Sequence, residues 1–238
     1  MLCSAADASA VWVYERLRAR GRAPVGLLFV EQLAHADVRW EHRVAGHGGA
    51  SLTLTTGDGR TLRDADLDAV LNRLAAPPLA VLDYADREDR EYARHELTAF
   101  AASWLRTLAA TVVNAPDPHG LCGRWRPALE WRSLAARAGM PCAPLRLASE
   151  EPADPAGDAP GTTALAVDGR LLLPGVPAAL QQATARLGRL AATRVLGLRF
   201  DGADPARAGW RLHDATPYPD LSLAGEAGVA ALEAALAA

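Results

Sequence analysis

Two stretches near the end of the chain decide its fold: Leu196-Gly197-Leu198-Arg199-Phe200 and Gly209-Trp210-Arg211-Leu212-His213-Asp214-Ala215-Thr216-Pro217-Tyr218-Pro219. Their short apolar runs predict β-strands over residues 194–200 and 209–214. Upstream, Asp168-Gly169-Arg170 separates two further apolar runs, which is a hairpin signature. Because helices are also predicted over residues 177–193 and 225–238, this end of the chain is expected to mix strands and helices.

The start of the chain predicts a strand–helix–strand unit. Asp7 is of the residue type preferred at a helix N-cap, and apolar residues at helical spacing run from there to Gly21, which ends the helix. The uninterrupted apolar run of residues 25–30 is typical of a buried parallel strand. Together with a short apolar first strand, this pattern predicts a βαβ unit.

The middle of the chain predicts two strands and two helices. Residues 38–44 and 51–55 alternate polar and apolar side chains, which indicates half-exposed strands. The longest predicted helix covers residues 86–110, and Tyr92, Phe100 and Trp104 are among the residues that recur on one of its faces. A second helix is predicted over residues 129–138.

The composition excludes several classes of protein. Half of the 238 residues are hydrophobic, and the net charge of −3 gives no reason to expect a nucleic-acid partner. Three scattered cysteines suit a reducing compartment and do not make a disulfide framework. No apolar run reaches the roughly 20 residues that span a bilayer, and no basic segment opens a secretory signal, so we expect a cytoplasmic protein without a membrane partner.

Several motifs follow one another in a recognisable order along the front half of the chain. They are Val70-Leu71-Asn72-Arg73-Leu74, the long helix, Val112-Val113-Asn114-Ala115-Pro116, Leu121-Cys122-Gly123, Trp131-Arg132-Ser133-Leu134-Ala135 and Ala138-Gly139-Met140-Pro141. Together with the closing strands, this order resembles small bacterial ATP-grasp ligases of the RimK-like type over residues 1–147 and 163–224. The resemblance implies an α/β protein in which a pre-ATP-grasp-like N-terminal βαβ domain is joined to a truncated ATP-grasp-like C-terminal α+β part.

The chain departs from these ligases where they handle ATP. In place of their ATP-binding subdomain it has only residues 148–165, which are rich in Pro, Ala, Asp and Gly. The ligases use lysines to hold the nucleotide phosphates, whereas all 25 basic residues here are arginine. Neither a Walker pattern nor a G-x-G-x-x-G loop occurs. The resemblance therefore implies the fold without the usual activity, and a protein that binds no cofactor.

The resemblance also implies a division into domains. Residues 1–115 would form the pre-ATP-grasp-like α/β domain, and residues 116–147 a connecting helix and strand. Residues 148–162 would be a flexible linker because of their Pro- and Gly-rich composition. Residues 163–238 would be the truncated ATP-grasp-like part.

Asp201 and Asp214 are the candidate metal ligands. In the ligases the last strand ends in a carboxylate and an asparagine that bind magnesium, and the matching stretch here is His213–Pro217. Asp214 retains a carboxylate, Thr216 replaces the asparagine, and Asp201 stands where an upstream acidic ligand is implied. Because Mg²⁺ requires several hard oxygen ligands in octahedral geometry, the alternative is a strand end with solvated acids.

Asn72 and Arg73 are the candidate ligand-binding residues. In the resembling ligases an Asn-Arg pair follows this buried segment, near the active cleft. Arg73 is predicted either to hold a ligand carboxylate through two hydrogen bonds or to pair with an acid of the long helix, such as Glu91 or Glu96. The sequence leaves both alternatives open.

The remaining candidates are a tryptophan and a few thiol and imidazole groups. Trp125 lies between Arg124 and Arg126, and an exposed tryptophan beside arginines is typical of an interface anchor. His119 and Cys122 form at most half of a zinc site, and Cys142 lies in an apolar run, so a structural role is expected for them.

One function and two alternatives follow. The first is a non-catalytic ATP-grasp-like protein that acts as a binding or scaffold subunit in a biosynthetic pathway. It would form a homodimer or join a catalytic partner protein, and would bind a small acid or a peptide at the carboxyl ends of its parallel strands. The alternative is a minimal ATP-dependent carboxylate-amine ligase that uses ATP and Mg²⁺ through Asp201, Asp214, Arg199 and Arg211. A second alternative is a metal- or Cys-dependent enzyme.

Overall fold

The computed structural model describes residues 1–21, 25–35, 37–46, 50–82, 86–108, 110–144, 161–202 and 209–237. Backbone contacts divide the chain into two compact units, one formed by residues 1–124 and 229–238 and the other by residues 125–228. The domain boundaries predicted at residues 115, 147 and 162 stay predictions. Most of the predicted linker, 148–160, lies outside the described residues.

The described chain contains the following elements. The helices are α1 (Ala8–Ala19), α2 (Arg87–Thr107), α3 (Ala128–Arg137), α4 (Ala178–Ala191) and α5 (Gly225–Ala237). The strands are β1 (Leu2–Cys3), β2 (Leu28–Phe29), β3 (Arg39–Val44), β4 (Ala50–Thr55), β5 (Thr61–Arg63), β6 (Ala69–Leu71), β7 (Thr111–Val113), β8 (Gly161–Val167), β9 (Arg170–Leu171), β10 (Val195–Asp201) and β11 (Leu212–Thr216). Short 3-10 turns cover Val30–Ala34, Asp64–Asp66, Leu79–Leu82 and Leu221–Ala224.

The first unit is built on short parallel strands. β1 pairs in parallel with β2, and α1 connects the two strands along the chain. This confirms the predicted βαβ unit. β6 pairs in parallel with β7, and a parallel bridge between Leu2 and Asn72 connects the two pairs in the order β2-β1-β6-β7. The antiparallel sheet β3-β4-β5 contributes Leu52 and Leu54 to the same core as Trp104 of α2.

Local sequence signals place the helices of this unit well. Asp7 caps α1 as predicted, because its carboxylate accepts a hydrogen bond from the Ala10 amide at 3.1 Å. The long helix was expected over 86–110 and forms as α2, with Asp86 as its N-cap. Tyr92, however, was expected on its apolar face and is 69% exposed, so that assignment is wrong.

The strand expected over residues 25–30 is also too long. Only Leu28–Phe29 pairs as β2, because the chain enters a 3-10 turn at Val30. The Gln32 side chain accepts a hydrogen bond from the Phe29 amide at 2.9 Å and stabilises this turn. Apolar character alone therefore did not mark the end of the strand.

The second unit is built on an antiparallel sheet in the order β11-β10-β8-β9, and α3 and α4 pack on one of its faces. Leu198, Phe200 and Leu212 of the sheet form one core with residues of α3 and α4, such as Trp131 and Leu187. No helix in the described ranges is both long enough and apolar enough to cross a bilayer.

Two predictions for this unit have different outcomes. The hairpin between β8 and β9 is confirmed, and Asp168 and Gly169 turn the chain with positive φ angles of 48° and 75°. The strand expected from Cys142 onward is reduced to a single bridge between Cys142 and Leu212 within the described residues, and positions 145–147 lie outside them.

Candidate functional site

The carboxyl ends of the parallel strands bring polar residues together in the first unit. The residues at or just beyond these ends are Ser4, Glu31, Asn72, Arg73 and Asn114. Open α/β sheets place ligands at this edge, because the strand ends leave a crevice there. This edge is therefore the first candidate site, and it contains the sequence-predicted pair Asn72 and Arg73.

Arg73 is engaged inside the protein. Its Nε donates to Oδ2 of Asp7 at 2.8 Å, and the two side chains are only 3% and 4% exposed. Its backbone amide donates to the carbonyl of Leu2 at 2.8 Å. The structure therefore pairs Arg73 with the N-cap residue of α1, and not with Glu91 or Glu96 as one sequence-based alternative expected.

Asn72 connects three segments behind the same edge. Its Nδ2 donates to the carbonyls of Asn114 at 2.9 Å and Leu121 at 2.7 Å, and its Oδ1 accepts from the Leu74 amide at 3.1 Å. The residue is 1% exposed. Ligand binding by Asn72 and Arg73 stays a prediction, and what their geometry supports is a positioning role.

Glu31 is the exposed acidic group of this edge. Its carboxylate accepts from the Ser4 hydroxyl at 2.5 Å and from the Ala5 amide at 3.0 Å. Partial burial raises the pKa of Glu31, but these hydrogen bonds outweigh it and the pKa lies below its usual value. The edge therefore presents a negative charge at neutral pH, which favours a cationic group of a ligand over a small acid.

The cysteines do not form a reactive or metal-binding group in the described residues. Burial, the largest cause, raises the pKa of the Cys3 thiol and of the Cys122 thiol to about 11, so both are protonated at neutral pH. His119 contacts Asp117 at 3.1 Å. Across the described ranges there is no group of three or more His, Cys, Asp or Glu side chains that could hold a metal ion.

The second candidate site is the strand pair β10–β11. Register places Arg199 directly opposite Asp214, and the Asp201 amide donates to the Arg211 carbonyl at 3.0 Å. Because Leu198 and Phe200 face the helices, Arg199 and Asp201 face the other side of the sheet. The predicted acids thus lie on neighbouring strands, with an arginine facing Asp214.

Hydrogen bonds within the chain already use some of the oxygen atoms at this second site. Asp214 Oδ1 accepts from the Ala215 amide at 2.8 Å, and the Thr216 hydroxyl accepts from the Tyr218 amide at 3.1 Å. Thr216 therefore stabilises the turn after β11. Metal binding by Asp201 and Asp214 stays a prediction.

Trp125 lies among other exposed apolar residues of the second unit. Trp125 is 47% exposed, Leu129 at the start of α3 is 52% exposed, and Leu190 at the end of α4 is 40% exposed. Arg126 donates to the Ala191 carbonyl at 3.1 Å, which brings these helix ends together. The interface predicted at Trp125 stays a prediction on an exposed surface.

Arg132 is a buried arginine that sequence reasoning did not single out. Its guanidinium donates to the carbonyls of His213 at 2.9 Å, Ala143 at 3.0 Å and Pro144 at 2.7 Å. It connects α3 to β11 and to the segment at Ala143 and Pro144. The only signal in the sequence was an arginine directly after Trp131, which is also compatible with an exposed position.

No protein-family model and no curated protein sequence matches this chain, whereas several solved structures do. Macrocyclase MdnC from Microcystis aeruginosa MRC, bound with precursor peptide MdnA, matches with a TM-score of 0.72 and 12% identity, over 100% of this chain and 98% of that chain.

Two further solved structures have the same kind of likeness. A Chryseobacterium gregarium RiPP-associated ATP-grasp ligase, in complex with ADP and a leader and core peptide, matches with a TM-score of 0.68 and 8% identity, over 98% of this chain and 94% of that chain. ATP-grasp ligase PsnB, complexed with precursor peptide PsnA2 and AMPPNP, matches with a TM-score of 0.62 and 13% identity, over 98% of this chain and 96% of that chain. This protein has an ATP-grasp-like α/β fold. The ATP-grasp-like α/β fold predicted from the sequence is thereby confirmed, and the truncation of its C-terminal part stays a prediction.

Proposed function

We propose that this protein is a non-catalytic ATP-grasp-like binding subunit of a biosynthetic pathway, and that its ligand is a peptide. The observation that carries the proposal is an ATP-grasp-like fold along the whole chain in a sequence with no lysine. Similar structures hold a precursor peptide or a leader and core peptide, which supports a peptide as the ligand.

The loss of nucleotide chemistry rests on the groups that would have to bind phosphate and metal. Lysines are absent, and the hydroxyl of Thr216 accepts a hydrogen bond within its own turn. Asp214 lies opposite Arg199, and a neighbouring guanidinium lowers the negative potential that attracts a divalent cation. On this proposal the chain is a degenerate and truncated relative of RimK-like ligases.

The remaining parts of the proposal concern location and partners. The protein is cytoplasmic, and it forms a homodimer or binds a catalytic partner protein through the surface around Trp125. The peptide contacts the edge that carries Glu31, where Asn72 and Arg73 hold the strand ends in position. Because Glu31 is anionic, a basic residue of the peptide fits there better than a free acid.

The test is a calorimetric titration of ATP with Mg²⁺ into the purified protein, together with its mass in solution. The expected result is no detectable nucleotide binding and a species larger than the monomer. Stoichiometric, Mg²⁺-dependent binding of ATP in the micromolar range would contradict the non-catalytic proposal.

The alternative function is a minimal ATP-dependent carboxylate-amine ligase. It is favoured by Asp201, Arg199 and Asp214 sharing the strand pair β10–β11. It predicts ADP release that Asp214→Asn abolishes and that Asp220→Asn, at an exposed capping position, leaves unchanged. The second alternative, a metal- or Cys-dependent enzyme, predicts stoichiometric zinc in elemental analysis.

A further inference from the structure

The first unit contains a cavity of about 370 Å³ that is open to solvent. Met1, Leu28 and residues 68–70 form one part of its wall, and these lie at the amino ends of the parallel strands. The cavity is therefore at the opposite edge from Asn72 and Arg73. The carboxyl-end rule for α/β sheets does not predict a site there.

The walls of the cavity are apolar. They include Leu52 and Leu54 of β4, Leu62 of β5 and Trp104 of α2. An apolar cavity of about 150 Å³ is large enough to hold a benzene ring. A cavity of about 370 Å³ therefore has room for about two large apolar side chains, and its volume lies within the range of about 300–1,000 Å³ that is usual for binding pockets.

The mouth of the cavity is acidic. Its charged residues are Arg60, Asp66, Asp68 and Glu233. Arg60 is paired with Asp58 at 2.9 Å, and Glu233 with Arg20 at 3.2 Å.

The other two charged residues of the mouth are the carboxylates of Asp66 and Asp68. Asp66 accepts a hydrogen bond from the Arg63 amide, and within the described part of the chain neither Asp66 nor Asp68 forms an ion pair. Both are exposed, so they present a net negative charge beside the apolar opening.

We infer that this cavity binds the apolar anchor of a basic peptide. One or two large apolar side chains enter the cavity, and a neighbouring Arg or Lys of the peptide pairs with Asp66 or Asp68. A fatty acid would bring its own negative charge against these carboxylates, so charge complementarity favours the basic peptide. The inference rests on the proposed function, because that function supplies a peptide as the ligand, and it assigns to the cavity a segment of the peptide other than the one at the Glu31 edge.

The experiment measures binding of a labelled synthetic peptide with a Phe–Leu pair between arginines, by fluorescence anisotropy at low salt. Two matched peptides replace the Phe–Leu pair by alanines or the arginines by aspartates. We expect binding of the first peptide and at least about tenfold weaker binding of both others, because each lacks one half of the recognition. Added salt should weaken binding of the first peptide.

Protein variants locate the site. Leu62→Trp fills part of the cavity and should weaken binding at least about tenfold. The double variant Asp66→Asn, Asp68→Asn should weaken it about threefold to tenfold and reduce the preference for arginine over aspartate. Asp64→Asn changes an acid of the same 3-10 turn that does not line the cavity, and should stay within about twofold of the wild type.

A further measurement uses only the wild-type protein, so its result does not depend on whether a variant folds. A photoreactive phenylalanine analogue in the peptide should crosslink to the segments that line the cavity, which are chiefly residues 25–28, 52–71 and 233–237, as identified by mass spectrometry. Absence of binding, crosslinking confined to other segments, or equal binding by folded Leu62→Trp would each overturn the inference. Peptide binding elsewhere without ATP binding would leave the proposed function standing, whereas Mg²⁺-dependent ATP binding would refute that function separately.

Discussion

Each unit contains a buried arginine among the described residues, and the two are neutralised by different means. In the first unit Arg73 forms an ion pair with Asp7, in which the two side chains are 3% and 4% exposed. In the second unit Arg132, 8% exposed, donates to three backbone carbonyls. Of the two, only the first combines two buried opposite charges.

This difference teaches how far a charged residue can be assigned from the sequence. Both arginines stabilise connections between distant segments, so a basic residue inside an apolar stretch is not by itself a ligand site. Removing one member of a buried ion pair leaves the other charge uncompensated, whereas removing a guanidinium from carbonyls leaves only unpaired acceptors. Removing the buried arginine should therefore lower the free energy of unfolding more in the first unit than in the second.

The largest effect is expected from Arg73→Met. Because Asp7 would remain buried without a counter-charge, the free energy of unfolding should fall by about 4 kcal/mol. Urea denaturation measures this. Arg94→Met on the exposed face of α2 is the matched control and should change the free energy by less than about 0.5 kcal/mol.

The double variant Asp7→Asn, Arg73→Met sharpens the same comparison. Asparagine still caps α1, and no buried charge remains, so the double variant should be more stable than Arg73→Met alone. A loss below about 1 kcal/mol for Arg73→Met, or equal losses for the single and double variants, would show that the ion pair does not dominate.

A smaller effect is expected from Arg132→Met in the second unit. Its three carbonyl partners lose charge-assisted hydrogen bonds, and the free energy of unfolding should fall by about 3 kcal/mol. Arg137→Met on the exposed face of the same helix is the control and should have little effect. If Arg132→Met lowered the free energy of unfolding more than Arg73→Met, the buried ion pair would not be the more sensitive of the two arrangements.

A separate effect, of pH, is expected in the alkaline range and also separates the units. The folded first unit raises the pKa of Cys3 and Cys122 to about 11 from a reference value of 9.0, so the native state keeps protons that the unfolded state releases. The free energy of unfolding should therefore fall as the pH rises from about 9 to about 11. Denaturation curves at several pH values measure the slope.

Cysteine variants assign that slope to its source. Cys122→Ala should make it shallower by removing one of the two thiols. Cys142→Ala, in the second unit, should change it less, because burial of Cys142 raises its pKa without so large a displacement. An identical slope in Cys122→Ala and the wild type would contradict the assignment.

Much of the fold could be predicted because its signals are local. The Asp7 cap, the long helix from Asp86 and the Asp168-Gly169 hairpin each depend on a few neighbouring residues. The end of β2 could not be predicted, since it depends on the Gln32 side chain turning back to the Phe29 amide. Apolar runs predict that a strand exists more reliably than they predict where it stops.

The candidate site was only partly predictable. The resemblance to ATP-grasp ligases singled out Asp201 and Asp214, and the structure places Asp201 at the end of β10 and Asp214 in the middle of the neighbouring strand β11. The partner of Arg73 was not predictable, because Asp7 lies 66 positions away in the sequence. The acidic mouth and apolar cavity were also missed, since their residues come from many separate segments.

The sequence by itself determined the helices, the βαβ start, the hairpin and the absence of lysine, because these follow from neighbouring residues and composition. Only the tertiary structure decided which arginines are buried and paired within the protein, which acids lie at the mouth of the cavity, and where the apolar cavity forms. The physical reason is that burial and charge pairing depend on segments brought together by packing, and a linear pattern carries no record of those long-range contacts.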